Sequence, residues 1–285
     1  MIKKINYLFQ ALAIYLFFII GRALGLKLSR KIFSLLFLKI GPLIKSNQVI
    51  EENLNKFSRK ISTKEKNFIV KEMWKNYGKT FIEYIFLDYF RKNKSHIIIK
   101  GEVNLFEIKE KKKQTIFVSG HFANFELMSM EITKQNISLA TIYRPLNNIF
   151  LNPFMEYLRK KYICKNQIKK GLKGVKDAIN YIRTGHSIAL MIDQRVSEGE
   201  KISFFGFPAL TTTLPAQLAN KFHLDIVPVS IKRNENNLFE IEFHKKIESK
   251  NFRDKKQLTQ ELNKVLENMV FKNPNQWIWT HNRWK

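Results

Sequence analysis

Apolar positions along this chain follow three regimes. Residues 5–21 are uncharged and mostly Leu, Ile, Phe, Tyr and Ala, with Lys3 and Lys4 before them and Arg22 after. A second apolar stretch, 32–44, is interrupted by Lys39. Next, Ser62-Thr63-Lys64-Glu65 has the residues of a capping box. Phe68, Met73, Trp74, Tyr77, Phe81, Tyr84 and Ile85 then recur at roughly helical spacing, which predicts a long helix. From residue 96 onward short strands alternate with helices. The pattern predicts strands at 96–99, 115–119, 139–143, 187–192, 226–231 and 238–243. Helices are predicted at 124–134, 148–161, 172–184, 213–222 and 255–272. Residues 187–192 are a continuous apolar run, as in a strand covered on both faces. Such alternation predicts an α/β fold with a mixed central sheet flanked by helices.

The chain has 285 residues, 45% of them hydrophobic, and no Ser-, Gly- or Pro-rich linker. That suits one main domain, 46–285, behind an N-terminal helical segment, 1–45. Residues 1–50 hold eight basic side chains and no Asp or Glu. The seventeen uncharged residues between Lys4 and Arg22 stand at the lower limit of about 17 for a spanning helix. Basic residues on both flanks give no orientation by the positive-inside rule. A helix lying in or dipping into the cytoplasmic leaflet explains both flanks best. A single short span and a buried hairpin of a soluble protein are the alternatives. The hairpin would not ordinarily need an acid-free, basic surround.

The formal charge of +26 narrows the partners to anionic ones: a membrane surface, a phosphorylated substrate, an acidic protein or nucleic acid. Part of the excess is the general Lys richness of the chain. The lone cysteine, Cys164, rules out an internal disulfide. His96, His186, His223, His244 and His281 show no metal spacing, and neither a metal nor a bound cofactor is expected. The chain has no Gly-x-Ser-x-Gly elbow, Walker loop, dinucleotide fingerprint or nucleic-acid motif.

Chemistry is most plausible at Ser119-Gly120-His121-Phe122-Ala123-Asn124-Phe125-Glu126, directly after a predicted strand. On a regular helix His121 and Glu126 would be rotated apart by about 140°. If His121 stands in the turn and Glu126 in the first helical turns, the carboxylate can reach back and orient the imidazole as a base. Spacing alone leaves an ordinary surface or core histidine equally open.

This segment resembles the His-x4-Glu box of the lysophospholipid acyltransferase superfamily, and more narrowly the bacterial lipid A biosynthesis (lauroyl/myristoyl) acyltransferases. Further blocks resemble that family in order: Tyr143-Arg144-Pro145-Leu146, the helix reaching Arg159, Asp193-Gln194, Phe204-Phe205-Gly206-Phe207-Pro208-Ala209, Thr211-Thr212-Thr213, and Trp279-Thr280-His281-Asn282-Arg283-Trp284-Lys285. The resemblance implies a glycerolphosphate-acyltransferase-like fold, His121 as general base and Glu126 as its orienting partner. It also implies Arg159 as an anion-binding arginine, Asp193 as a site carboxylate, and Arg144 as a second phosphate contact. The implied reaction moves an acyl chain from the thioester of acyl carrier protein to a hydroxyl of a lipid A precursor. The implied location is the cytoplasmic side of a bacterial inner membrane, with acyl carrier protein, an anionic lipid and the membrane surface as partners and no nucleic acid. Ala123, Phe125, Leu214 and Asn282 depart from the family pattern, where Gly, Trp, Gly and a basic residue are usual. Another lysophospholipid or glycolipid acceptor, or a non-catalytic basic binding protein, are the alternatives.

Overall fold

The computed structural model describes residues 2–58 and 60–285. Helices α1 (Ile2–Ile44), α2 (Asn47–Phe57), α3 (Thr63–Glu83) and α4 (Leu87–Lys92) lead to β1 (Ile97–Lys100) and α5 (Phe106–Glu110). An alternating stretch follows: β2 (Thr115–Ser119), α6 (Glu126–Lys134), β3 (Leu139–Tyr143), α7 (Asn152–Leu158), β4 (Asn166–Lys169), α8 (Leu172–Arg183) and β5 (Ser187–Met191). Next come β6 (Glu200–Phe204), β7 (Phe207–Thr211), α9 (Leu214–Phe222), β8 (Asp225–Arg233), β9 (Phe239–Phe243), β10 (Ile247–Glu248) and α10 (Lys255–Lys272).

The main sheet runs β1-β9-β8-β2-β5-β3-β4, with β10 pairing antiparallel to β8. The strands from β8 through β4 are parallel to their neighbours. β9 runs antiparallel to β8 and parallel to β1. This is the α/β architecture that the alternating pattern predicts. β2, between β8 and β5, is buried at every residue, as a strand covered on both faces must be.

Several elements differ from expectation, among them α2, α5 and β10, which no predicted element covers. The antiparallel hairpin β6-β7 lies outside the main sheet, and β4 adds an edge strand. The helix expected at 148–161 begins only at Asn152. The Asn148 side chain accepts from the N–H groups of Phe150 and Leu151, holding a loop, and a proline then stands in the first helical turn. The helix ends in a π turn, Arg159–Ile163.

The N-terminal segment is a hairpin, but not a buried one. Gly25 (φ 73°, ψ 165°) breaks α1. Phe17 and Phe33 would stand about 24 Å apart along a straight helix. Instead their rings meet edge-on at 5.7 Å, and Ser29 Oγ donates to the Gly21 carbonyl at 2.6 Å. Both halves pack on α3, where Phe18 and Phe33 each contact Phe81. Gly78 permits this approach: a Cβ there would fall 2.1 Å from the Phe33 carbonyl oxygen. The outer face remains open, with Ile2, Phe9, Leu12, Leu16, Ile19, Leu35 and Leu43 exposed. By length and composition this helix could cross a membrane.

α3 opens with the predicted capping box: Ser62 Oγ accepts from Glu65 N–H, and the Glu65 carboxylate accepts from Ser62 N–H. Its far end carries Glu83, which is wholly buried. Glu83 accepts from Arg30 Nε at 2.6 Å, from both Arg233 Nη atoms, and from Asn124 Nδ2 at 3.0 Å. Burial opposes the charged form, but the two guanidinium groups outweigh it and hold this carboxyl below its usual range.

His96 packs against Phe90 and is also buried. Burial, together with Lys134 and Arg30, lowers its imidazole to about 4. His281 is likewise held down to about 4, by burial and by His121.

Two outcomes are expected. Glu83→Ala leaves two guanidinium groups buried without their counter-ion and costs about 3–5 kcal/mol. Denaturant unfolding of the detergent-solubilised protein measures this, and a loss below about 1 kcal/mol would contradict the ion cluster. Between about pH 6.5 and 4 the unfolded chain takes up protons at His96 and His281 that the folded chain refuses. Stability therefore falls as pH is lowered through that window. Removing both imidazoles (His96→Phe with His281→Gln) should flatten the slope.

Candidate active site

Strand register assembles the site. β2 and β5 pair in parallel with Ser119 opposite Met191. Two residues past each stand His121 and Asp193, side by side at the carboxyl ends of adjacent strands. Asp193 is buried, and its Oδ1 lies 2.7 Å from His121 Nδ1. Its Oδ2 accepts from His121 N–H at 2.7 Å and from Trp277 Nε1 at 2.8 Å. Burial alone would raise this carboxyl, but the His121 imidazole and backbone N–H overcome it and hold it well below the usual range. An ionised carboxylate on Nδ1 fixes the tautomer with Nδ1–H, leaving Nε2 as the acceptor. Gly120 leaves room for the pair: a Cβ there would meet the Phe122 ring at 2.7 Å and Asp193 Oδ2 at 3.3 Å.

The loop between His121 and α6 is tightly held. Ala123 adopts φ 43°, in the left-handed region that favours glycine. Its N–H donates to the Gln276 carbonyl, and its carbonyl accepts from Thr80 Oγ1 at 2.9 Å. Asn124 is tied to Glu83. These anchors hold an alanine where the expected pattern has glycine.

Glu126 does not hold the imidazole, which corrects the expected pairing. Its carboxylate accepts from Tyr84 Oη, from Arg159 Nε at 2.8 Å, and forms an ion pair with Arg159 Nη2 at 2.7 Å. Glu126 is the first residue of α6 and turns toward α3 and the π turn rather than back to β2. The orienting partner of His121 in this geometry is Asp193. Arg159, expected to bind an anionic group, is buried and bonded to Glu126 and Tyr84. Among the described residues its buried Nη1 has no hydrogen-bond partner. Burial disfavours the Arg159 charge, but Glu126 more than restores it; the Tyr84 hydroxyl is raised first by burial and then by Glu126. Arg144 is exposed on the loop after β3.

His121, Glu126, Arg144 and Arg159 all border one cavity of about 360 Å³. Asp193 stands behind His121, outside the lining. Met128, Ile142, Ile163 and Leu190 supply apolar wall. Gln194 Nε2 lies 3.3 Å from His121 Nε2 and 2.9 Å from His281 Nε2, so one amide bridges both rings. A second groove of about 450 Å³, between β8, β9 and α10, has neither His121 nor His281 in its lining. Among the described residues no cluster of His, Cys, Asp or Glu could hold a metal ion.

Sequence reasoning missed Tyr84, Gln194, Trp277 and His281 as members of this constellation. Gln194 adjoins the predicted Asp193, and His281 lies in a recognised block, so adjacency was the available signal. Trp277 and Trp279 are both buried; Trp277 donates to Asp193, whereas Trp279 donates to the Pro274 carbonyl and packs. Arg283 is also buried, donating to the Leu210 carbonyl and Thr211 Oγ1.

The arrangement can abstract a proton at His121 Nε2 beside a partly apolar cavity, as acyl transfer to a hydroxyl requires. Curated protein sequences give no match. Among solved structures, the 1-acyl-sn-glycerophosphate (LPA) acyltransferase PlsC from Thermotoga maritima aligns over 89% of this chain and 100% of its own, at 16% identity and a TM-score of 0.42. The sequence model of the bacterial lipid A biosynthesis acyltransferases matches residues 2–285, and the chain belongs to that family.

Proposed function

We propose that this acyltransferase moves a fatty acyl group from the thioester of acyl carrier protein to a hydroxyl of a phosphorylated lipid A precursor, at the cytoplasmic face of a bacterial inner membrane. The observation that carries the reading is the His121–Asp193 pair, a base with a fixed tautomer on a partly apolar cavity. Asp193 stabilises the imidazolium that forms when His121 Nε2 takes the acceptor's hydroxyl proton. The freed oxygen attacks the thioester carbonyl carbon, the C–S bond breaks, and the carrier's thiolate leaves to collect the proton. No acyl-enzyme is needed. Cys164 is buried, hydrogen-bonded to backbone carbonyls, and its thiol is raised by burial.

The two arginines take different roles. Arg159 holds the Glu126 carboxylate at the cavity wall and donates to Tyr84 Oη. Arg144 and Lys170 border the same cavity, and partial burial followed by Arg144 pushes the Lys170 ammonium down. Two cations set close together favour a phosphate between them. The exposed apolar face of α1, in a segment with no acid and several lysines, supports residues 1–45 as the membrane anchor.

Acyl carrier proteins loaded with several chain lengths, assayed with a purified lipid A precursor, test the reading directly. Transfer to that acceptor is expected, and transfer only to a lysophospholipid would replace it. His121→Ala and Asp193→Asn should each lower kcat by about 10²–10⁴ while the protein stays folded. Near-normal turnover in Asp193→Asn would reject the orienting role. Arg144→Ala should raise KM for the phosphorylated acceptor about tenfold with kcat little changed, as loss of a charged contact worth about 1.4 kcal/mol predicts. An unaltered KM would remove Arg144 from phosphate binding.

A further inference from the structure

Two loops leave the carboxyl edge of the main sheet side by side, next to the cavity. β3 and β4 pair with Tyr143 opposite Lys169, and Lys170 N–H donates to the Tyr143 carbonyl at 2.8 Å. Three residues past this pair stand Leu146, on the loop after β3, and Leu172, the first residue of α8. Leu172 is 88% exposed, and Ile149, in the loop after Leu146, is 52% exposed. Phe150 is also exposed. Large apolar side chains grouped at the rim of a cavity mark a contact surface.

This rim is joined to the first half of α1. Tyr15 Oη donates to the Phe150 carbonyl at 2.8 Å, and Asn148 Nδ2 donates to the Tyr7 carbonyl at 2.8 Å. Tyr15 also meets Phe154 edge-on at 5.6 Å. The 148–150 part of the rim is therefore held against the first half of α1. Charge selects its occupant. Lys170 and Lys173 flank Leu172 together with Lys169, which pairs with Glu156 at 3.4 Å, and residues 159–176 contain no Asp or Glu. Apolar tips set among lysines suit an anionic leaflet: the tips enter the acyl boundary and the ammonium groups lie among phosphates.

We propose that the cavity rim formed by residues 146–150 and Leu172 is a second lipid-contact surface, inserted together with α1 into an anionic leaflet. The cavity then opens within the headgroup layer, and a lipid acceptor reaches His121 by lateral movement. The proposal rests on the membrane reading of α1 and extends it to the mouth of the site.

The test uses the full chain carrying an environment-sensitive dye on one introduced thiol, since Cys164 is buried. The dye is placed at Ile149→Cys in the rim, Ile19→Cys on α1, or Lys250→Cys beside β10, which pairs with the amino end of β8. Vesicles of phosphatidylglycerol and phosphatidylcholine should shift the emission at 149 and 19 to the blue and leave 250 unchanged. A shift at 19 without one at 149 overturns the rim contact and leaves the anchor intact, whereas no shift at either overturns both. A shift at 149 on adding soluble acidic carrier protein, with none on adding vesicles, reassigns the surface to a protein and also overturns the proposal. Replacing Ile149, Phe150 and Leu172 with Ser should weaken vesicle partition about tenfold or more. The same variant should keep wild-type turnover of an acceptor dispersed in detergent. Unchanged partition would contradict the contact.

Discussion

Three formal charges meet in the interior where α3 passes behind the site: the Glu83 carboxylate and the guanidinium groups of Arg30 and Arg233. Each comes from a different part of the fold, Arg30 from the N-terminal hairpin, Glu83 from α3 and Arg233 from β8. Desolvating them is expensive, and the cost is offset only when all three are in place. Glu83 also holds Asn124, inside the His121–Glu126 loop. The next residue, Tyr84, meets Glu126 and Arg159. One turn of α3 thus ties the hairpin, the sheet and both sides of the cavity into a single arrangement.

Much of the fold is legible in the sequence because its signals are local. The capping box at Ser62 and the apolar strands at 115–119 and 187–192 follow from neighbours in the chain. What escaped is non-local or geometrically special. The fold-back at Gly25 needs a backbone torsion that an apolar run does not announce. The β6-β7 hairpin turns at Phe205 and Gly206, both at positive φ, inside a stretch whose aromatics mask the turn.

The same distinction divides the site. His121 and the position of its loop are readable from a strand followed by a turn. The choice between Glu126 and Asp193 as the orienting group is not. Asp193 lies 72 residues from His121 and becomes its neighbour only through the pairing of β2 with β5. Glu126, five residues away, is drawn off by Arg159 and Tyr84, which approach from the π turn and from just past the end of α3. Proximity in sequence gave the wrong partner because the sheet, not the loop, decides which carboxylate faces the ring.

The ties from Trp277 to Asp193 and from His281 to Gln194 have a consequence for synthesis. A ribosome adding about 5–20 residues per second takes on the order of ten seconds to pass from His121 to Trp277. During that interval the strands carrying His121 and Asp193 can pair, but the indole that completes the carboxylate's hydrogen bonds has not been made. The hairpin, by contrast, leaves the ribosome before any strand. Translation order therefore places the N-terminal hairpin outside the ribosome well before the hydrogen bonds around Asp193 can be completed.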